Sequence, residues 1–176
     1  MNMMNFRKGA GFTLIELLIV VTIIGLLASV VLVGLQGFRS SGRDARRLAD
    51  LRQVQNGLEQ YFNKCDYYPG VAEAVAPCGP PIDIFSNDPV ENWRNLEDAL
   101  VNSDIGIYAI SNDPLATTPD RGYRYATSPN NQSYVLRAEL EDPNNPALRN
   151  DIDDDIFGVG LDCADEPPHS YYCISL

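Results

Sequence analysis

The chain has 176 residues and a formal net charge of -11, from 24 acidic and 13 basic side chains. This length suits one domain plus an anchoring segment. Basic residues concentrate at Arg7, at Lys8 and between residues 39 and 52, whereas the chain is mostly acidic from Asp66 onward. We expect no nucleic-acid partner, because phosphate binding requires clustered Lys and Arg. Lipid headgroups or a neighbouring subunit are nearer partners for the one basic cluster.

Residues 12–35 form an almost uninterrupted apolar run. As a helix the run would rise about 36 Å, which exceeds the roughly 30 Å of a hydrocarbon core. A secretory signal peptide is the main alternative, but its apolar core covers about 7–15 residues and ends at a small-residue cleavage site. This run is longer and leads without a proline into further helix-forming sequence, so the sequence predicts a single membrane span.

Four cysteines follow the apolar run. An even number in an exported chain indicates disulfides, and four cysteines allow three pairings. The sequence-local pairing is favoured, and zinc is disfavoured because there is no C-x-x-C pair and the only histidine is His169. Counting positive charges alone would place the C-terminal side in the cytoplasm, but the cysteines favour an extracytoplasmic head. The proposed pairs are Cys65 with Cys78 and Cys163 with Cys173.

Glu16 is the one ionisable residue inside the apolar run. A charge at the centre of a bilayer costs about 2.5–3.5 kcal/mol, and less near a helix end. Glu16 lies only about 6 Å of helix rise from Phe12. Position alone therefore leaves two interpretations: the carboxylate reaches the membrane interface, or it awaits a positive partner from another chain.

Residues 7–16 read RKGAGFTLIE, a short basic leader, Gly, Phe, three further positions and Glu. This pattern resembles the signal sequence of type IV pilins and type II secretion pseudopilins. The resemblance implies cleavage between Gly11 and Phe12 by a prepilin peptidase and N-methylation of the new Phe12 amine. It also implies that Glu16 neutralises the Phe12 amine of an adjacent subunit.

The family resemblance implies partners and a location as well. Other copies of the chain, minor pilins, the prepilin peptidase and an assembly platform in the cytoplasmic membrane would be the partners, with lipid around the helix before assembly. The chain would start as a single-pass cytoplasmic membrane protein with an extracytoplasmic head. It would end in a cell-surface or periplasmic filament.

The predicted organisation is a leader at residues 1–11, a membrane and filament-core helix at 12–35, an amphipathic continuation at 36–64 and a globular head at 65–176. Leu51, Val54 and Leu58 belong to the apolar stripe of the continuation, while residues 36–42 are only weakly helix-forming. The phrase DYYPG at residues 66–70 ends the helix.

A second helix is predicted from an Asp88 N-cap to Asn102. Strands are predicted at residues 105–110, 122–127 and 133–140, the last two as a hairpin. The fold class is therefore α+β and similar to pilins: a long N-terminal helix packed on a small antiparallel sheet.

The C-terminal region is dense in carboxylates. Carboxylates interspersed with glycine suit a hard cation such as calcium, although the spacing is not that of an EF-hand. The alternative is a solvated acidic loop fixed by a disulfide. The candidate calcium ligands are Asp151, Asp153, Asp155 and Asp162.

The sequence contains no nucleophile elbow, P-loop or dinucleotide fingerprint, so we predict a structural subunit and not an enzyme. A type IV pilus and a type II secretion pseudopilus both remain open. The competing hypothesis is a membrane-anchored binding module that never polymerises and binds a ligand or calcium. Glu16 discriminates between the two, because a simple anchor gains nothing from a carboxylate there.

Overall fold

The computed structural model describes residues 12–70, 78, 89–116, 122–155, 157, 161–164 and 167–176, and the side chains of residues 31–36, 89 and 90 lie outside the description. The chain divides into two units, with the boundary between Arg39 and Ser40. We call residues 40–176 the head unit. The predicted cleavage residue Gly11 and the predicted N-cap Asp88 both lie outside the described residues.

Helix α1 runs without interruption over Leu14–Cys65. The prediction of weak helix at residues 36–42 is therefore wrong. Each glycine there costs about 1 kcal/mol of helix stability, but the segment has no proline, and helix propagates easily once both flanks are helical. The predicted DYYPG stop is confirmed: Asp66 adopts the left-handed conformation with φ 63, and its N–H donates to Phe62 O at 2.8 Å.

Within the residues described here, no helix combines the length and the apolar content needed to cross a membrane. The predicted span at residues 12–35 includes residues 31–35, whose side chains lie outside the described part.

The core of the head unit lies between α1, helix α2 (Pro89–Asn102) and a three-stranded sheet. α1 contributes the predicted stripe, including Leu51, Val54 and Leu58, all of which are buried. Burying one such side chain stabilises the fold by about 1.5–3 kcal/mol. Helix α2 adds Trp93 and Leu96 to the same core. The amphipathic half of α1 therefore packs against the sheet through this core.

The sheet has the order β1 (Arg124–Thr127), β2 (Tyr134–Glu139), β3 (Tyr171–Ser175), and both pairings are antiparallel. The predicted hairpin is confirmed as β1 and β2. Strand β3 was not predicted, since its sequence lies beside the acidic tail. A 3-10 helix at Pro146–Arg149 precedes β3.

The predicted strand at residues 105–110 is wrong, since no strand forms there. Two left-handed residues bend the segment, Asp104 with φ 52 and Gly106 with φ 82. The N–H of Ile110 then donates to the side chain of Glu97 at 3.2 Å instead of to another strand. The segment packs against α1, where a Cβ at Gly57 would lie 2.6 Å from the side chain of Ile107.

Side chains occupy both outer edges of the sheet. On β1, buried Asn92 accepts the N–H of Tyr125 at 2.9 Å and donates to its carbonyl at 3.0 Å. On β3, the N–H of Cys173 donates to Asp151 Oδ2 at 2.9 Å, and the N–H of Ile152 donates to Cys173 O at 3.4 Å. Each edge therefore has a partner that mimics part of a neighbouring strand.

Two disulfides join the sequence-local pairs, Cys65–Cys78 and Cys163–Cys173. The first closes the segment that leaves the end of α1. The second lies in a small apolar cluster with Ala126, Val135 and Leu161, separate from the main core. The head unit therefore carries one covalent link at the end of the long helix and one beside β3.

Candidate assembly site

Glu16 lies in the first turn of α1, where it forms a reciprocal cap with Thr13. The N–H and the hydroxyl of Thr13 donate to Glu16 Oε2 at 2.9 and 2.7 Å, and the Glu16 N–H donates to Thr13 Oγ1 at 3.3 Å. This is a capping box, T-x-x-E. Glu16 Oε1 accepts no hydrogen bond from the residues that the structure describes.

Apolar side chains surround this carboxylate on all sides of the helix. Every residue from Phe12 to Val30 is exposed, and Phe12 itself is 81% exposed. The hydroxyls of Thr22 and Ser29 donate to backbone carbonyls of the preceding turn at 2.7 and 2.8 Å, so these polar groups are satisfied inside the helix. Residues 12–30 therefore present an apolar surface whose one charge is Glu16.

In the head unit, Arg47 is the centre of a buried ion network. Its guanidinium donates to Asp113 at 2.7 and 3.2 Å, to Asp44 at 2.7 Å and to Glu141 at 2.9 Å, and only 1% of its side chain is exposed. Arg43 adds a two-bond pair to Glu141, with both distances 2.6 Å. The network fixes two distant loops to α1.

These contacts shift the pKa values of the partners. Hydrogen bonding by Arg43 lowers the pKa of Glu141 to about 2, and Arg47 adds to that shift while burial opposes it. Burial disfavours the charged form of Arg47, but the hydrogen bonds to Asp113 and Glu141 outweigh it and raise its pKa. Both groups therefore stay ionised at neutral pH.

The four candidate calcium ligands do not converge. Asp151 accepts the N–H of Cys173, and Asp162 accepts the N–H of Ala164 at 2.9 Å. Asp153 and Asp155 are exposed. In the described part of the chain, no three Asp, Glu, His or Cys side chains are grouped so as to hold a metal ion. The described residues therefore do not fit a cation site, and calcium binding stays a prediction.

A cavity beside Trp93 has a volume of about 220 Å³ and is lined in part by Glu97, Asp113 and Tyr123. Ligand pockets usually measure about 300–1,000 Å³. Moreover, Asp113 already pairs with Arg47, and Tyr123 donates to Asp50 at 2.8 Å. The cavity thus gives little support to a small-molecule site.

Comparison with known proteins extends these findings. Residues 6–32 match the family described as the prokaryotic N-terminal methylation motif. The type II secretion system core protein G of Escherichia coli K12 is 31% identical over 126 residues, which cover 64% of this chain and 83% of that protein. The chain belongs to the family of the type II secretion system core protein G. The predicted pilin and pseudopilin relationship is confirmed, and the chain is a structural subunit of the pseudopilin class.

Other relatives align over shorter regions. The core protein G of Vibrio cholerae is 36% identical over 67 residues, or 38% of this chain and 46% of that protein. The "Probable minor fimbrial protein" of Dichelobacter nodosus is 39% identical over 74 residues, or 42% of this chain and 45% of that protein. No solved structure is significantly similar to the chain.

The structure places the predicted functional residues of this pseudopilin in different regions. Phe12 and Glu16 lie together at the start of α1, while the carboxylates of the tail are spread around β3. The sequence analysis missed the capping role of Thr13, although the T-x-x-E spacing before an apolar run is a known signature. Arg47 was assigned to a basic cluster, and its buried pairing with Asp113 was not predicted because no local sequence pattern relates the two residues.

Proposed function

We propose that this chain is a pseudopilus subunit of a type II secretion system, cleaved after Gly11, N-methylated at Phe12 and polymerised through α1. Before assembly it would be anchored in the cytoplasmic membrane with its head outside, and it would then join a periplasmic or cell-surface filament with related minor subunits. The main support for this proposal is Glu16, a lone carboxylate on the exposed apolar part of α1. Its Oε1 accepts no hydrogen bond from the described residues.

The exposed apolar side chains of residues 12–30 support burial against lipid or other subunits. At about 25 cal/mol per Å² of apolar surface removed from water, covering them is strongly favourable. A filament core and a bilayer both supply such cover, so the same helix surface serves the chain before and after assembly. The disulfides agree with a head in an oxidising compartment.

Glu16 supports assembly instead of simple anchoring. Cleavage after Gly11 would create a free amine on Phe12, a cation at the end of the apolar helix. The Thr13 bonds use Oε2, and an ionised carboxylate has about four acceptor sites, so Oε1 would accept from the Phe12 amine of a second copy. The attraction between the two charges is considerably stronger in apolar surroundings than in water.

We propose no enzymatic activity for this chain. The prepilin peptidase would supply the cleavage, and the assembly platform in the cytoplasmic membrane would be the partner during polymerisation. The alternative function, a binding module that never polymerises, gains no support from the cavity beside Trp93.

The test uses the full chain expressed with its secretion genes, with electron microscopy of sheared filaments and mass spectrometry of their subunits. A Glu16→Gln substitution keeps a capping side chain, since Gln also serves in capping boxes, but removes the charge. We expect normal membrane insertion and few or no filaments. The matched control is Thr22→Val, which removes a hydroxyl from the same helix and should leave the filaments intact.

Processing is tested separately. A Gly11→Leu substitution should leave residues 1–11 attached, whereas the mature wild-type chain should begin at a methylated Phe12. Normal filaments from Glu16→Gln would refute the assembly role. A mature chain that still begins at Phe12 in Gly11→Leu would refute the cleavage site.

A further inference from the structure

The surface of α1 in the head unit has a charge pattern that the sequence hides. Acidic and basic residues alternate there, but the fold buries Asp44 and Asp50 and leaves Glu59 half-buried beneath the Tyr68 hydroxyl, which donates to it at 3.0 Å. Within residues 40–65, all of which are described, no carboxylate is exposed. The exposed charges are therefore all positive.

Arg46 and Arg52 flank this exposed surface. At about 100° per residue, Arg52 lies on one border and Arg46 on the other, with Ala45, Ala49 and Asn56 between them. We call this surface the basic face. The Arg46 side chain is 58% exposed and lies 3.5 Å from Asp50, while Arg52 makes no ion pair with the residues described here.

Lys64 is exposed too, but it belongs to the head's own structure. Its ammonium donates to Ser103 O at 2.6 Å and to Asp104 O at 3.3 Å. Within the head unit, the basic face is thus the part of α1 whose exposed cations are available to another molecule.

A basic face is unusual on a chain of net charge -11. Copies with a large charge of one sign repel each other, so a polymer of this chain needs contacts where opposite charges meet. Cleavage would increase the repulsion by removing Arg7 and Lys8. A self-complementary arrangement, with the basic face of one copy against carboxylates of the next, reduces this repulsion at the contact.

The residues around Asp151 supply the complementary surface. Asp153 and Asp154 are exposed, and they follow directly on the residues that are fixed to the β3 edge through Cys173. The carboxylates are therefore held on an ordered part of the head.

On this basis we propose that the basic face, Arg46 and Arg52, docks on Asp153 and Asp154 of a second copy. The inference rests on the proposed function, because it names the contact through which heads of the filament subunits meet.

Anionic lipid is the other partner that such a face suits. Arg52, however, lies about 18 Å of helix rise beyond the start of the head unit. A membrane's surface potential falls off within a Debye length, about 8 Å at physiological ionic strength. A second copy therefore fits the position of Arg52 better than a lipid surface does.

The experiment compares three variants of the full chain by filament yield: Arg46→Glu/Arg52→Glu, Asp153→Lys/Asp154→Lys, and all four changes together. Each double reversal should lower the yield about tenfold, because attraction becomes repulsion at two pairs, and the fourfold variant should restore it. The matched control is Arg94→Glu/Arg149→Glu, which changes the net charge equally at two exposed arginines outside α1 and should assemble normally.

Thermal unfolding in detergent checks that each variant is folded, and Arg46→Gln/Arg52→Gln replaces the reversal if it is not. Normal filaments from either double reversal, or no recovery in the fourfold variant, overturn the proposal. Flotation with anionic and with neutral vesicles tests the lipid alternative: a loss of anionic binding in Arg46→Glu/Arg52→Glu, without recovery of filaments in the fourfold variant, favours lipid. If Glu16→Gln blocks assembly and the reversals do not, only this inference fails.

Discussion

Arg47 and Asp113 form a two-bond ion pair across 66 residues of sequence, with Nε 2.7 Å from Oδ2 and Nη2 3.2 Å from Oδ1. Both side chains are almost completely buried. An Arg47→Leu substitution would leave Asp113 and Asp44 buried without their cation, which costs about 3–5 kcal/mol. We expect this loss in denaturant unfolding, followed by the fluorescence of Trp93, the only tryptophan. Exposed Arg52→Leu is the control and should stay within about 0.5 kcal/mol; equal effects would contradict the buried network.

The same network predicts an acid-sensitive head. The pKa of Glu141 is lowered from 4.5 to about 2, chiefly by Arg43. A lowered folded-state pKa means that the stabilisation is fully present above pH 4.5 and is lost as the pH falls toward 2. In Glu141→Gln, the dependence of the unfolding free energy on pH should flatten in that window. Parallel curves for the wild type and the variant would show that Glu141 contributes nothing to acid sensitivity.

Asn92 is expected to be essential for the position of α2 on the sheet. An Asn92→Ala substitution would leave the N–H and the carbonyl of Tyr125 without the two bonds that they now make. Each unsatisfied buried group costs about 1–3 kcal/mol, so we expect a loss of about 2–6 kcal/mol for the two groups in denaturant unfolding. Exposed Asn56→Ala on α1 is the matched control. A loss below about 1 kcal/mol would mean that water or another group replaces the side chain.

The acidic tail is expected to depend on its disulfide more than on a cation. Asp151 and Asp162 already accept backbone N–H groups, and the Cys163–Cys173 link holds the neighbouring loop to β3. A Cys163→Ser/Cys173→Ser variant should therefore unfold at a lower temperature, and its free energy of unfolding should fall by up to about 3 kcal/mol. A calcium chelator should leave the unfolding temperature of the wild type unchanged. Calorimetric heat on adding calcium that is lost in Asp153→Ala/Asp155→Ala would establish the calcium site predicted from the sequence.

Local patterns in the sequence were sufficient for much of this fold. The apolar stripe at Leu51, Val54 and Leu58 predicted the buried face of α1. The alternation in residues 122–127 and 133–140, on either side of a predicted turn, predicted the β1–β2 hairpin. Both signals depend on neighbours within one turn or one strand. The family motif likewise depends on a few adjacent positions, which is why residues 6–32 carry it.

Long-range relationships were not predictable. Residues 105–110 have the composition of a strand, but the left-handed residues Asp104 and Gly106 and the Glu97 side chain replace a partner strand. β3 pairs with β2 although it lies in the least regular part of the sequence. The sequence also did not show which charged side chains would be buried. Arg46 and Arg47 are adjacent in sequence, but Arg46 is exposed and Arg47 is buried.

The two occupied sheet edges have a consequence for crowding. Polymerisation through α1 would hold many copies of the head side by side, at a local concentration far above that of the free subunit. An open edge strand offers unpaired backbone groups to any neighbouring strand and promotes irregular aggregation. Asn92 at Tyr125 and Asp151 at Cys173 engage part of those groups within each copy. Tightly packed heads can thus remain separate folded bodies while the N-terminal helices associate.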